Sequence, residues 1–65
     1  MGSITGVEVE LIGQNGNAFA ILGRVQRAMR DAGVDKATID RYMEEATSGD
    51  YDHLLATTVK YVEVS

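Results

Sequence analysis

Asp50-Tyr51-Asp52-His53 gathers two carboxylates, a phenol and the chain's single histidine within four consecutive residues. A zinc site would need three or four ligands at helical or hairpin spacing, and neither a second histidine nor any cysteine exists to complete one. Acid-base catalysis would pair His53 with a carboxylate beside a nucleophile, yet no serine stands in a recognisable nucleophile setting. The plainer reading makes Asp50 the cap of a helix and Asp52 an anion in its first turn, where the helix dipole favours negative charge. Tyr51 then packs, and His53 faces solvent as a contact residue for a partner. No catalytic residue, metal or cofactor is expected.

A second candidate is the run Gly13-Gln14-Asn15-Gly16-Asn17, whose backbone amides at a helix start could cradle a phosphate or nucleotide. It lacks the Lys-Ser or Lys-Thr pair of a nucleoside-triphosphate loop and the glycine spacing of a dinucleotide fingerprint. A plain strand-to-helix turn satisfies the same residues. Gly13, Asn15, Gly16 and Asn17 nevertheless form the alternative ligand-binding set. Glu8, Glu10 and Glu63 could share one sheet face and attract a hard cation, although a solvated strand face explains them as well. Arg24, Arg27 and Arg30 stand three apart beside Gln26 and Asp31, the pattern of a solvated face more than of a nucleic-acid stripe.

Gly23 is the most informative oddity, because a glycine inside a helix costs about 1 kcal/mol relative to alanine and here it lies off the apolar stripe. Gly16, Ala20, Gly23 and Arg27 follow one another at three- or four-residue steps, making a smooth strip along which a partner backbone could lie. An intramolecular crossing is the competing explanation. Phe19, the only phenylalanine, is either core or an anchor for a partner.

These side chains must be held by a small framework. A chain of 65 residues allows one domain, residues 1–65, with residues 1–6 as a flexible start. A domain of this size buries only about 60% of the surface of its unfolded chain. With no cysteine there is no disulfide to add stability and no oxidising-compartment signature, so a cytoplasmic location is the expectation, and association into a homodimer is the remaining supplement. Ten acidic against six basic residues give a net charge of -4, which disfavours double-stranded nucleic acid. No apolar run approaches the ~20 residues of a membrane span, and a basic, apolar signal peptide is lacking at the start. Met1-Gly2-Ser3 invites a myristoylation reading, but that motif wants Ser or Thr where Gly6 stands.

Alternation from Val7 to Ile12 predicts a strand with Val7, Val9 and Leu11 on one face. Apolar residues at Ala18, Ile21, Leu22, Val25, Ala28, Met29 and Ala32 predict a helix over 18–32, capped by Asn17 and closed by Gly33. Asp35 opens a second helix over 36–47, with Val34 stapled to Ile39 and a stripe of Ile39, Tyr42, Met43 and Ala46. Asp50 opens a third, with Tyr51, Leu54, Leu55 and Thr58 on one face, fading near Val59. Tyr61-Val62-Glu63-Val64 reads as a second strand. The fold class is α+β, in the order strand-helix-helix-helix-strand, with two short strands covered by three amphipathic helices. Extension of the sheet by a second copy is left open, since two strands alone are marginal in water.

Gly16-Asn17-Ala18-Phe19-Ala20-Ile21-Leu22-Gly23 and Ser48-Gly49-Asp50-Tyr51-Asp52-His53-Leu54-Leu55 together resemble a widespread group of very small proteins of bacteriophages, prophages and other mobile elements. The similarity spans nearly the whole chain from Val7. The group has no established activity, so the resemblance implies a setting, in which a small accessory protein acts by engaging a host or phage component. The expected function is therefore non-enzymatic protein binding through Phe19, Ala20, Gly23, Arg27, Tyr51 and His53. A small-ligand binder and a structural assembly component are the alternatives.

Overall fold

The computed structural model describes residues 2–11 and 17–64. Its elements are β1 (Glu8–Val9), α1 (Ala18–Asp31), α2 (Lys36–Ala46), α3 (Tyr51–Tyr61) and β2 (Glu63–Val64), so the expected order of an α+β domain is found. β1 and β2 pair in parallel, Glu8 opposite Glu63 and Val9 opposite Val64. Parallel strands need a long crossover, and here all three helices supply it.

Each helix begins where a short polar side chain can take an amide that the helix leaves unpaired. Asn17 accepts from Ala20 N at 3.0 Å, Asp35 from Thr38 N at 3.1 Å, and Asp50 from His53 N at 2.9 Å. The end of α1 turns on Gly33, whose φ of 85° is the left-handed conformation that favours glycine.

The core is formed where the apolar stripes meet. Ile21, Leu22, Val25 and Met29 of α1 face Ile39, Tyr42 and Ala46 of α2, with Leu54 and Tyr61 of α3 and Val9 and Val62 of the chain ends. The strand alternation is preserved, with Val9 buried and Glu8 and Glu10 exposed.

Both strands are shorter than expected, the first two helices each end one residue early, and the third helix runs past Val59. The first strand is shorter than 7–12, with its paired part at Glu8–Val9 and Ile12 outside the described residues. Tyr61, expected to begin the second strand, instead ends α3. The reason is tertiary. Helical continuation sets Tyr61 on the same face as Leu54, Thr57 and Thr58, where its ring packs edge-on against Tyr42 at 5.4 Å and 64°. Thr57 and Thr58 sit comfortably within this helix because their hydroxyls donate to the carbonyls of His53 and Leu54, at 2.9 and 2.8 Å.

The N-terminal segment runs beside the end of α3. The amides of Ile4 and Thr5 donate to the carbonyls of Lys60 and Tyr61 at 2.9 and 3.0 Å, and Ser3 N donates to the Glu63 carboxylate. Glu63 N returns a bond to the Val7 carbonyl at 2.7 Å.

Candidate protein-binding surface

The α1 helix buries one stripe and leaves the opposite one bare. Phe19 is 87% exposed, which settles its place outside the core. A shallow groove runs from it along the helix, lined by Phe19, Ala20, Gly23, Arg24, Arg27, Ala28 and Asp31. Among the described residues, a Cβ built on Gly23 would meet nothing within 4 Å, so no crossing with any of them explains this glycine. The strip anticipated at Ala20, Gly23 and Arg27 is thus a continuous open surface on one helix. Arg27 makes only a loose pair with Asp31, 3.9 Å apart, with both side chains mostly in solvent, and such pairs contribute little.

Phe19 also borders a second hollow, formed with Ala18, Leu22, Ala46, Gly49, Tyr51 and Leu54 where the turn between α2 and α3 meets α1. Its lining is mostly apolar side chains and turn backbone. The two regions singled out in the sequence, the α1 strip and the turn before α3, therefore meet at Phe19. Tyr51 is half-buried and packs on the core from this hollow.

His53 has a different place from the one expected. It is half-buried, with its ring turned to the end of α2. Nε2 lies 2.8 Å from the Glu45 carbonyl and 3.2 Å from Ser48 Oγ. A carbonyl only accepts, so Nε2 carries the hydrogen and donates it to Glu45 O. Ser48 Oγ donates to the same oxygen at 2.7 Å, and Thr47 Oγ1 donates to Met43 O at 2.7 Å. Side chains thus satisfy the last carbonyls of α2, a role that glycine in the left-handed region often fills at a helix end. His53 shapes the turn that carries Tyr51.

Glu45 is the residue that sequence reasoning passed over. Its carboxylate accepts from Lys60 Nζ at 2.7 Å and from the Tyr61 hydroxyl at 3.1 Å. Those two bonds, led by Lys60, hold its carboxyl below the ordinary range against a smaller opposing effect of burial. Nothing local to position 45 points to these partners, and only the fold places Lys60 and Tyr61 opposite it.

Of the alternative loop, Gly13, Asn15 and Gly16 lie outside the described residues. Asn17 is exposed, and its side chain already occupies the Ala20 amide, one of the donors an anion would use. Glu8 and Glu63 are register partners, but among the described residues no cluster of three His, Cys, Asp or Glu is arranged to hold a metal ion. Among the described residues, no helix is long and apolar enough to cross a membrane.

Comparison with protein-family models, with curated proteins and with solved structures finds no match to this chain.

Proposed function

We propose that this chain is a small non-enzymatic protein-binding module, an accessory protein of phage or mobile-element setting, that engages a host or phage component through the outer face of α1. The observation that carries the reading is the exposure of Phe19, at 87%, at the junction of two concave surfaces. Aromatic side chains are costly to leave in water and are characteristic anchors at the centre of protein interfaces. Around this anchor the backbone is accessible at Gly23, and Arg27 and Tyr51 supply a guanidinium and an aromatic ring, both enriched in interface hot spots. His53 contributes by holding the turn that presents Tyr51.

The test is affinity capture of the tagged protein from a lysate of its host cell, with quantitative mass spectrometry against two variants, Phe19→Ala and Gly23→Trp. Neither site has neighbours that a fold would depend on, since Phe19 is exposed and Gly23 is open. A protein enriched by the native chain and lost with both variants supports the reading and locates its surface. Enrichment untouched by either variant overturns the assignment of this face. No enriched protein at all moves the Gly13 to Asn17 loop to the front as a phosphate or nucleotide site, to be read by amide shifts at Gly16 and Asn17.

A further inference from the structure

We infer that the partner of the α1 face is an acidic segment of another protein, which lays carboxylates over Arg24, Arg27 and Arg30 and seats an apolar side chain in the hollow beside Phe19. This rests on the binding role proposed for that face. What selects an acidic partner is the distribution of charge. α1 holds three of the six basic residues, Arg24, Arg27 and Arg30, against one of the ten acidic ones, Asp31. The helix is therefore +2 (three minus one) in a chain of -4, which leaves -6 for everything else. All three arginines are exposed, and at 1.5 Å per residue the row from Arg24 to Arg30 covers about 9 Å of the helix axis.

The fold itself makes little use of this row. Lys36 and Lys60 are engaged, with Asp40 at 2.8 Å and Glu45 at 2.7 Å. Arg27 has the loose 3.9 Å contact to Asp31, and among the described residues Arg24 and Arg30 form no ion pair. Arg30 lies in the last turn, where it complements the helix dipole. No such role accounts for Arg24 and Arg27, and like charges at neighbouring positions of a helix face oppose its formation. Each guanidinium presents parallel N–H donors that match a carboxylate. The register of the partner follows from the two concave surfaces. Arg24 and Arg27 line the groove beyond Phe19, whereas the hollow on the other side of Phe19 is mostly apolar and includes Asp50, so carboxylates go to the first and an apolar side chain to the second. A nucleic-acid strand fits less well. It carries a phosphate on every nucleotide and would run off the arginine row onto the acidic remainder of the chain.

Selection of phage-displayed random dodecapeptides on the folded chain reads the chemistry of the partner directly. The expected peptides are rich in aspartate and glutamate beside aliphatic or aromatic residues. In fluorescence anisotropy they should bind Arg24→Ala and Arg27→Ala each about two- to fivefold more weakly, the worth of one exposed ion pair, and Phe19→Ala at least about tenfold more weakly. The triple reversal Arg24→Glu, Arg27→Glu and Arg30→Glu should lose these peptides and select basic ones instead. The substituted side chains are all exposed, and circular dichroism of each variant confirms that it is folded. Selected peptides with no acidic excess that still need Phe19 overturn the acidic partner and leave the binding face standing. An oligothymidylate strand that binds through Arg24 and Arg27 more tightly than the acidic peptides overturns it in favour of single-stranded nucleic acid. A chain that selects no Phe19-dependent peptide overturns it as well. Lysate capture lost with Phe19→Ala would then keep the binding face, and capture indifferent to Phe19→Ala would refute both.

Discussion

His53 Nε2 donates to the carbonyl of Glu45 at 2.8 Å, so the chain's single histidine closes the end of the helix before its own. The ring also rests against Gly49, where an added Cβ would come within 2.8 Å of His53 Cγ and 2.9 Å of His53 Cβ. Glycine is required here by that close approach.

Two substitutions test this clip. His53→Ala removes a donor from the Glu45 carbonyl while Ser48 still serves it, which predicts a loss of about 1 kcal/mol. Gly49→Ala pushes against atoms close to the His53 backbone and predicts a loss of about 1–2 kcal/mol. Urea denaturation of the two variants and their combination checks both. With the ring gone the contacts to Cγ and Cδ2 disappear while the 2.9 Å contact to the Cβ of residue 53 stays, so the double variant is expected to lose only somewhat less than the sum of the two single losses.

The buried pair Tyr42 and Thr58 gives a second prediction. Their hydroxyls are 2.8 Å apart, and Thr58 Oγ1 already donates its only proton to Leu54 O at 2.8 Å. Tyr42 is therefore the donor in the pair. Tyr42→Phe takes one bond from Thr58 and leaves its other in place, a cost of about 1 kcal/mol. Thr58→Val strands a buried phenol and costs about 1–3 kcal/mol. The double variant should be less destabilised than the two single losses together, and strict additivity in a thermal or denaturant cycle would speak against this bond.

How much of this was readable beforehand follows from how local each interaction is. Asn17, Asp35 and Asp50 bond amides three residues ahead, within reach of a single turn, and all three caps were legible as residue type and spacing. The stripe Ile21, Leu22, Val25 and Met29 was legible for the same reason. Tyr61 was misplaced because its partners, Tyr42 and Glu45, are 19 and 16 residues away, and an alternating tail gives no hint of them. His53 was read as solvent-facing because its bond depends on α2 ending beside α3. For the candidate surface, the sequence offered two outcomes for both Phe19 and Gly23, and packing decided each in favour of exposure.

Stability should depend on pH through the carboxyls held by neighbouring donors. Hydrogen bonds from Lys60 and Tyr61 lower the Glu45 carboxyl from its ordinary 4.5, and the hydroxyl and amide of Thr38 lower Asp35 from 3.8. A carboxyl with a depressed folded value stabilises the fold above its unfolded value, and that stabilisation drains as pH falls through the folded one. The acid limb of a stability curve is thus expected to begin in the ordinary carboxylate range and to continue below it. Lys60→Met should make the limb shallower, because Glu45 loses its first donor. At the alkaline end, Lys60 and Lys36 are raised by their carboxylate partners and Tyr42 and Tyr61 chiefly by burial. Groups with raised folded values stabilise below their unfolded values and lose that contribution as pH climbs, so stability should fall again above about pH 10. An acid limb unchanged by Lys60→Met would show that the Glu45 pair is without consequence.

Gly23 yields the prediction that separates folding from binding. The backbone there is helical and a Cβ has open space around it, so Gly23→Ala should raise stability by about 0.5–1 kcal/mol through helix propensity alone. Thermal unfolding of the isolated protein at low concentration reads that gain. Gly33→Ala is the opposite control, since a φ of 85° is unfavourable for alanine and the variant should lose stability. If the α1 face closes on another backbone at Gly23, the methyl group that steadies the helix also keeps that backbone at a distance. Gly23→Ala should then unfold at a higher temperature and yet associate more weakly than the native chain. A variant that gains stability and associates equally well would place the contact elsewhere on the molecule. One that loses stability would mean that the helix meets something at Gly23 within its own fold.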